Sequence, residues 1–398
     1  MELRIGSPAT GGNFYQRPAL IALLLRALER DNVAFLGPRR TGKTSCLEEI
    51  KAAPGEFQPI LLNLEKHDSV EGWLAAMVSE LRVTLEQPER LRHRVKAKAS
   101  VILAGIKKIE VPGIGGVEVG PAAGVSRWRK PADEFTGLLA QSGVPILFLL
   151  DEFPTFLKLI ARKRSRDEVE AVLNWFRSAR HELKDRQVRF LVTGSIGLKG
   201  VVRGLGLAPT VNEFDTHEIP PLTQAEALGL LEKLAADNHV PLDLRGRKKI
   251  LDLLGANWPI LLQLFVSEIL EGGFTKPPTV RQLESIYHDR LVNGSRNQYC
   301  DGMFDRLKEA FGEGERRLAR EILKAVCRSP DGLGREDLDA IHARLEPELS
   351  RHASGIEELD HVLDTLKHDG YLLQERGGRH LTRFGSNILR DFWRRKTS

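Results

Sequence analysis

The sequence predicts an α/β chain: a parallel sheet with helices on both faces, followed by a helical segment and a closing three-helix-plus-hairpin segment. Three observations carry this. Short runs, NVAFLG, PILLNLE, VPILFLLDEF, VRFLVTGS and NEFDTHEIP, alternate with helical patterns as far as Pro221. Several of those runs are apolar throughout, as strands buried on both faces are. From Leu222 onward the strand signals stop, to return only near the end of the chain.

Taken in order, RPALIALLLRALER has apolar residues at helical spacing, NVAFLG is a short apolar run ending in glycine, and KTSCLEEIKAA reads as a helix. That is strand, glycine loop, helix. SVEGWLAAMVSELRVTL and EVEAVLNWFRSARHEL supply helices between the later strands. IKKIEVPGIGGVEVG breaks the pattern and reads as a glycine-rich hairpin inserted between two helices. LTQAEALGLLEKLAADNHV, GRKKILDLL and WPILLQLFVSEILEGG then read as amphipathic helices of a lid, and TKPPT punctuates the start of a helical connector. ERRLAREILKAVC, GREDLDAIHARL and GIEELDHVLDTLKHDG are three further helices, and YLLQERGGRHLTRF gives two short strands around Gly377 and Gly378, the pattern of a winged helix. The expected divisions are a core at 1–221 with a basic insertion at about 89–130, a lid at 222–275, a connector at 276–314 and a winged helix at 315–398.

A length of 398 residues exceeds what one hydrophobic core usually serves, so two or three domains are expected. Hydrophobic residues at 41% and charged residues at 28% exclude general disorder. Cys46, Cys300 and Cys327 lack the paired spacing of a zinc site or a disulfide framework, which points to a reducing cytoplasm. MELRIGSPATGG has no signal-peptide core, and no apolar run approaches the roughly 20 residues that span a bilayer, so neither secretion nor a membrane is expected.

The chemistry begins at FLGPRRTGKTSCLEEI. Gly37, Gly42, Lys43 and Thr44 fill the G-x-x-x-x-G-K-[ST] pattern between a strand and a helix, where the pattern must lie to work. Pro38, Arg39, Arg40, Thr41 and Ser45 complete the loop and the helix start. Glycines let backbone N–H groups wrap a polyphosphate at a helix N-terminus, the lysine reaches its β and γ oxygens, and the Thr44 hydroxyl faces Mg2+. At the end of ILFLLDEF, Asp151 is placed to hold Mg2+ and Glu152 to polarise an attacking water. Thr193, Gly194 and Ser195 close another apolar strand, where Ser195 reads as a contact for the γ-phosphate or the water, or as part of a plain strand-ending turn.

Glycine loop, LLDE, TGS and helical lid in this order resemble the AAA+ and STAND group of P-loop ATPases, above all the archaeal-type ATPases that share a winged-helix tail with origin-recognition-type initiators. The likeness covers roughly Gly11 to Gly273 and Glu315 to Arg395. It implies ATP with Mg2+ as cofactors and ATP hydrolysis, which the absence of the family's lid arginine would make slow or partner-stimulated. It also nominates Phe14 and Arg17 of GNFYQRP near adenine, residues that as plain sequence equally read as a hydrophobic staple and a surface charge. Pro259 of GANWPILLQ is implied near the base or ribose, or else simply starts a core helix. Trp258-Pro259 stands where the AAA+ lid arginine is expected, and GLKGVVRGLG offers Lys199 and Arg203 as cations for a neighbouring subunit's site.

Basic charge is concentrated. Between Glu89 and Lys130, ten Lys or Arg face three Glu, a balance of +7 against +5 for the whole chain. Lys107, Lys108, Arg127 and Arg129 flank the expected hairpin and read either as nucleic-acid backbone contacts or as a solvated helix face. Glu375 to Ser398 holds seven Lys or Arg against Glu375 and Asp391, and Arg376, Arg379 and Arg383 are the wing candidates for phosphate contact. The helix that would enter a major groove, GIEELDHVLDTLKHD, carries five acidic residues, so this domain is as well suited to a protein partner or to its own core. Phe392 and Trp393 read as packing groups.

The expectation is a cytoplasmic ATPase whose nucleotide state controls binding to nucleic acid or to a partner protein, self-association included. Two other readings remain open: a nucleotide-stabilised, non-hydrolysing DNA-binding regulator or scaffold, and a sensor ATPase of a mobile-element or anti-phage system with a separate effector.

Overall fold

The computed structural model describes residues 1–3, 5–6, 8–84, 89–110, 127–195, 197–294, 298–345, 355–374 and 380–397, which pack as two compact units. One unit comprises residues 16–36 and 43–218, the other residues 1–15, 37–42 and 219–398.

The first unit is built on five parallel strands, β1 (Val33–Leu36), β2 (Gln58–Asn63), β3 (Ile146–Asp151), β4 (Val188–Gly194) and β5 (Asp215–Glu218), in the order β2-β3-β4-β1-β5. Every residue of β1, β3 and β4 is buried, which is why these runs are apolar without alternation. The edge strand β5 instead reads Asp-Thr-His-Glu and is mostly exposed, a charged edge that discourages pairing with another chain. Because the register runs Val33↔Leu191, Val33↔Asp215 and Ile146↔Val188, the carboxyl ends of β1, β3 and β4 share one edge of the sheet. In open α/β sheets that edge is where ligands bind.

Helices cover both faces. The chain-ordered set is α1 (Pro18–Arg30), α2 (Lys43–Ala52), α3 (Val70–Thr84), α4 (Glu89–Glu110), α5 (Arg129–Ala140), α6 (Phe153–Lys163), α7 (Arg166–Leu183) and α8 (Leu198–Gly204). Trp73 of α3, Phe153 and Phe156 of α6 and Trp175 and Phe176 of α7 form an aromatic cluster on one face, with Phe176 4.9 Å from Phe190 of β4. α1 and α2 bury Leu24, Leu28, Leu47 and Ile50, and both pack on the sheet. Tight aromatic packing of this kind fixes the strand ends that carry the polar residues.

α4 corrects one expectation. Val95, Ala99, Ile102 and Ile106 recur at helical spacing and are all buried, so the helix runs through IKKIE to Glu110. Lys107 and Lys108 therefore sit on a helix and not in a hairpin, while the rest of the expected hairpin, 111–120, lies outside the described residues.

In the second unit, α9 (Gln224–Asp237), α10 (Leu244–Leu254) and α11 (Pro259–Glu271) follow β5. α9 starts with a capping box between Thr223 and Glu226, and α12 (Val280–Ser285) starts with another between Thr279 and Gln282. A π-helical stretch, Ile286–Val292, leads on toward α13 (Gln298–Ala310). α14 (Glu313–Arg328), α15 (Arg335–Leu345) and α16 (Gly355–His368) then precede an antiparallel pair, β6 (Leu372–Gln374) and β7 (Thr382–Phe384), and α17 (Asn387–Thr397) closes the chain. Three helices and a two-stranded wing make a winged helix. Phe392 and Trp393 are fully buried, Trp393 against Phe304 and Tyr371, and the Tyr371 hydroxyl donates to the Met303 carbonyl at 2.6 Å. Within this unit, Pro38 of the glycine loop lies against Gly370, between α16 and β6.

Candidate nucleotide site

The glycine loop joins β1 to α2. Gly37 is buried with φ 146°, and a Cβ there would lie 2.5 Å from the Ile219 side chain, so no other residue fits. Gly42 has φ 99°. Between them Arg40 holds a left-handed conformation, φ 64°, without being glycine, and the Thr41 hydroxyl donates to the Pro38 carbonyl at 2.7 Å, drawing the loop into a turn. Arg39 and Arg40 are exposed, while Lys43 and Ser45 are buried at the start of α2.

Two carboxylates stand at the end of β3. Asp151, 3% exposed, accepts from the Thr44 hydroxyl on Oδ2 at 2.7 Å and from the Thr193 hydroxyl on Oδ1. Leu150 pairs with Val192, so Asp151 and Thr193 are neighbours one step beyond that pair, a relation that the sequence alone does not give. Thr193 is completely buried, and in the structure it holds Asp151.

Glu152 is left-handed, φ 58° and ψ 37°, because the chain turns there directly from β3 into α6. Its Oε2 accepts from Thr155 Oγ1 at 2.9 Å, Ser195 Oγ at 3.0 Å and the Ser195 amide at 3.3 Å. Ser195, expected to face the γ-phosphate, is thus brought to Glu152. Thr155 was not a candidate; its position three residues after Glu152, in the first turn of α6, is the signal that finds it.

Arg17 is 6% exposed and so is not a surface charge. Its charge reaches Cys46 on α2, whose thiol is pushed up to about 12 by burial, with Arg17, Glu49 and Lys43 as smaller influences in alternating direction. In the sheet unit the structure therefore brings Thr44 to Asp151 and Ser195 to Glu152, with Arg17 near Cys46. Phe14, buried, and Pro259, the first residue of α11, belong to the other unit.

Among the charged candidates, Lys107, Arg127 and Arg129 are exposed. Arg376 and Arg379 lie outside the described residues, and the half-buried Arg383 donates from Nε to the Asp331 carbonyl at 3.1 Å, bracing the wing. On α16, Glu358 faces His342, Asp360 pairs with Arg335, and His361 faces Glu315, so these acidic and basic groups are used inside the domain. Among the described residues no helix is long and apolar enough to cross a membrane, and no group of three or more His, Cys, Asp or Glu could hold a metal.

No protein-family model matches the chain, and no curated protein matches it in sequence. Solved structures do. The Walker-type ATPase PABY2304 of Pyrococcus abyssi is similar at a TM-score of 0.60 and 15% identity, over 98% of this chain and 99% of that one. The ORC2 protein of Aeropyrum pernix, in ADPNP–ADP complexes, is similar at a TM-score of 0.52 and 14% identity, over 99% of this chain and 95% of that one. At these identities the likeness is one of fold: the chain has the α/β P-loop fold with a helical lid and a C-terminal winged helix.

Proposed function

We propose that the protein is an ATP-binding and ATP-hydrolysing molecular switch whose nucleotide state controls its binding to nucleic acid or to a partner protein. The observation that carries this is the Thr44–Asp151 hydrogen bond at 2.7 Å with Glu152 next in the chain, a hydroxyl and a carboxylate that suit a metal beside a candidate base. The fold shared with a Walker-type ATPase supports the same reading.

The oxygen donors fit Mg2+. A hydroxyl and a carboxylate in contact suit a hard cation that keeps several waters and completes its shell with phosphate oxygens. Thr44 and Asp151 would hold the ion, which neutralises phosphate charge when bound. Lys43 would bind the β and γ oxygens, with backbone N–H groups of 37–45 around the phosphates. Arg17, beside α2, would add positive charge. Glu152 would accept a proton from the attacking water, and Ser195 would exchange Glu152 for the γ-phosphate. A switch needs contacts made in one nucleotide state and absent in the other, and that exchange is one.

Lys107, Arg127 and Arg129, exposed on or beside α4 and α5, would meet a phosphate backbone without reading sequence. Phosphate release from ATP, measured with and without single- and double-stranded DNA across a salt series, tests the reading. Stimulation that falls with salt and is lost in a Lys107, Arg127 and Arg129→Ala variant is expected; the same rate with and without DNA at every salt concentration removes nucleic acid as the partner, and no phosphate release removes hydrolysis.

A further inference from the structure

The Glu152 carboxylate is held from one side. Among the described residues all three of its donors converge on Oε2, and Oε1 takes none of them. The donors differ in origin. Ser195 reaches across from the end of β4, whereas Thr155 rides on α6, the helix that Glu152 itself starts, and the Phe156 amide closes that first turn on the Glu152 carbonyl at 3.1 Å. Thr155 and Glu152 therefore belong to one turn.

We propose that Thr155 is a positioning residue for hydrolysis: its hydroxyl fixes Oε2 so that Oε1 is presented to the water. This rests on the reading of Glu152 as the base. Ser195 is the donor that a γ-phosphate would draw away, and Thr155 is the tether that stays when it does. A carboxylate on a strand-to-helix junction has two free side-chain rotations beyond Cβ, and loss of a rotational constraint on a reacting group lowers rate without weakening ground-state binding. The backbone at Glu152 is also left-handed, so the neighbouring turn and this hydroxyl fix a conformation that a non-glycine residue does not hold by itself.

The test compares wild type, Glu152→Gln, Thr155→Val and Thr155→Ser in steady-state ATP turnover, with affinity for a fluorescent ATP analogue measured alongside. Valine matches threonine in shape and lacks only the donor; serine keeps it. Expected are turnover in wild type that Glu152→Gln abolishes, a kcat about tenfold or more lower in Thr155→Val with KM within about twofold, and recovery in Thr155→Ser to near the wild-type rate. Wild-type or higher kcat in Thr155→Val, or a serine variant no better than valine while analogue binding is retained, overturns the positioning role and leaves hydrolysis standing. Absence of turnover in wild type overturns the hydrolysis reading and this role with it.

Discussion

Thr193, completely buried on β4, donates its hydroxyl to Oδ1 of Asp151 on the neighbouring strand. With Thr44 on Oδ2, the carboxylate is gripped at both oxygens, and its direction is set by the sheet and not by solvent. A buried hydrogen bond to a charged group contributes about 1.5–3 kcal/mol. Thr193→Val should therefore weaken Mg2+-dependent nucleotide affinity by about tenfold and leave the affinity in EDTA unchanged. Calorimetric titration in both conditions checks this, and equal loss in both would assign Thr193 to folding alone.

Arg40 bears the strain of the glycine loop. A left-handed conformation costs a residue with a Cβ on the order of 1 kcal/mol, and more when it is β-branched. Arg40→Val should thus be less stable than Arg40→Gly by at least about 1 kcal/mol in urea unfolding. Equal midpoints would mean that the loop relaxes at no cost.

Arg180 of α7 is a buried cation. It lies 3.9 Å from the Phe214 ring centroid and donates to the carbonyls of Phe176 and Thr210, and burial pulls its guanidinium down to about 10, partly offset by Glu213. Arg180→Met keeps the volume but leaves the Thr210 carbonyl without this donor, so a loss of about 2 kcal/mol is expected. Thermal unfolding measures it.

Cys46 supplies a pH test. Its folded thiol is pushed up to about 12, above the ordinary value near 8.5, so the unfolded chain loses that proton first and the contribution of this group to stability falls as pH rises above about 8.5. All three cysteines are buried, so at pH 8 an alkylating reagent should leave the native protein almost unlabelled and label all three in denaturant. Cys46→Ala should flatten the alkaline loss of stability between pH 8.5 and 10; an unchanged slope would show that other groups carry it.

Much of this fold is legible in the sequence because buried parallel strands must be apolar throughout, and the runs at Val33, Ile146 and Val188 are. The glycine loop is legible for the same kind of reason, since Gly37 meets Ile219 and Gly42 needs a positive φ. The extent of α4 was present as the spacing of Val95, Ala99, Ile102 and Ile106, but the glycines just beyond it masked the helical period. The duties of Thr193 and Ser195 were not legible. Both depend on which strand lies beside which, and a hydroxyl carries no mark of its partner until the register is known. Arg17 is similar: only the folded packing distinguishes a buried guanidinium from a surface one.

In the proposed reaction Glu152 takes the proton from water while Lys43 and Thr44 hold the nucleotide. Single-turnover hydrolysis of radiolabelled ATP in Mg2+, with binding measured in parallel, tests it most directly in wild type, Glu152→Gln and Lys43→Ala. Wild type should convert bound ATP to ADP, Glu152→Gln should bind ATP with similar affinity and convert it at least about a hundredfold more slowly, and Lys43→Ala should fail to bind. Conversion by Glu152→Gln at the wild-type rate, or ATP bound by wild type and never converted, would contradict the account.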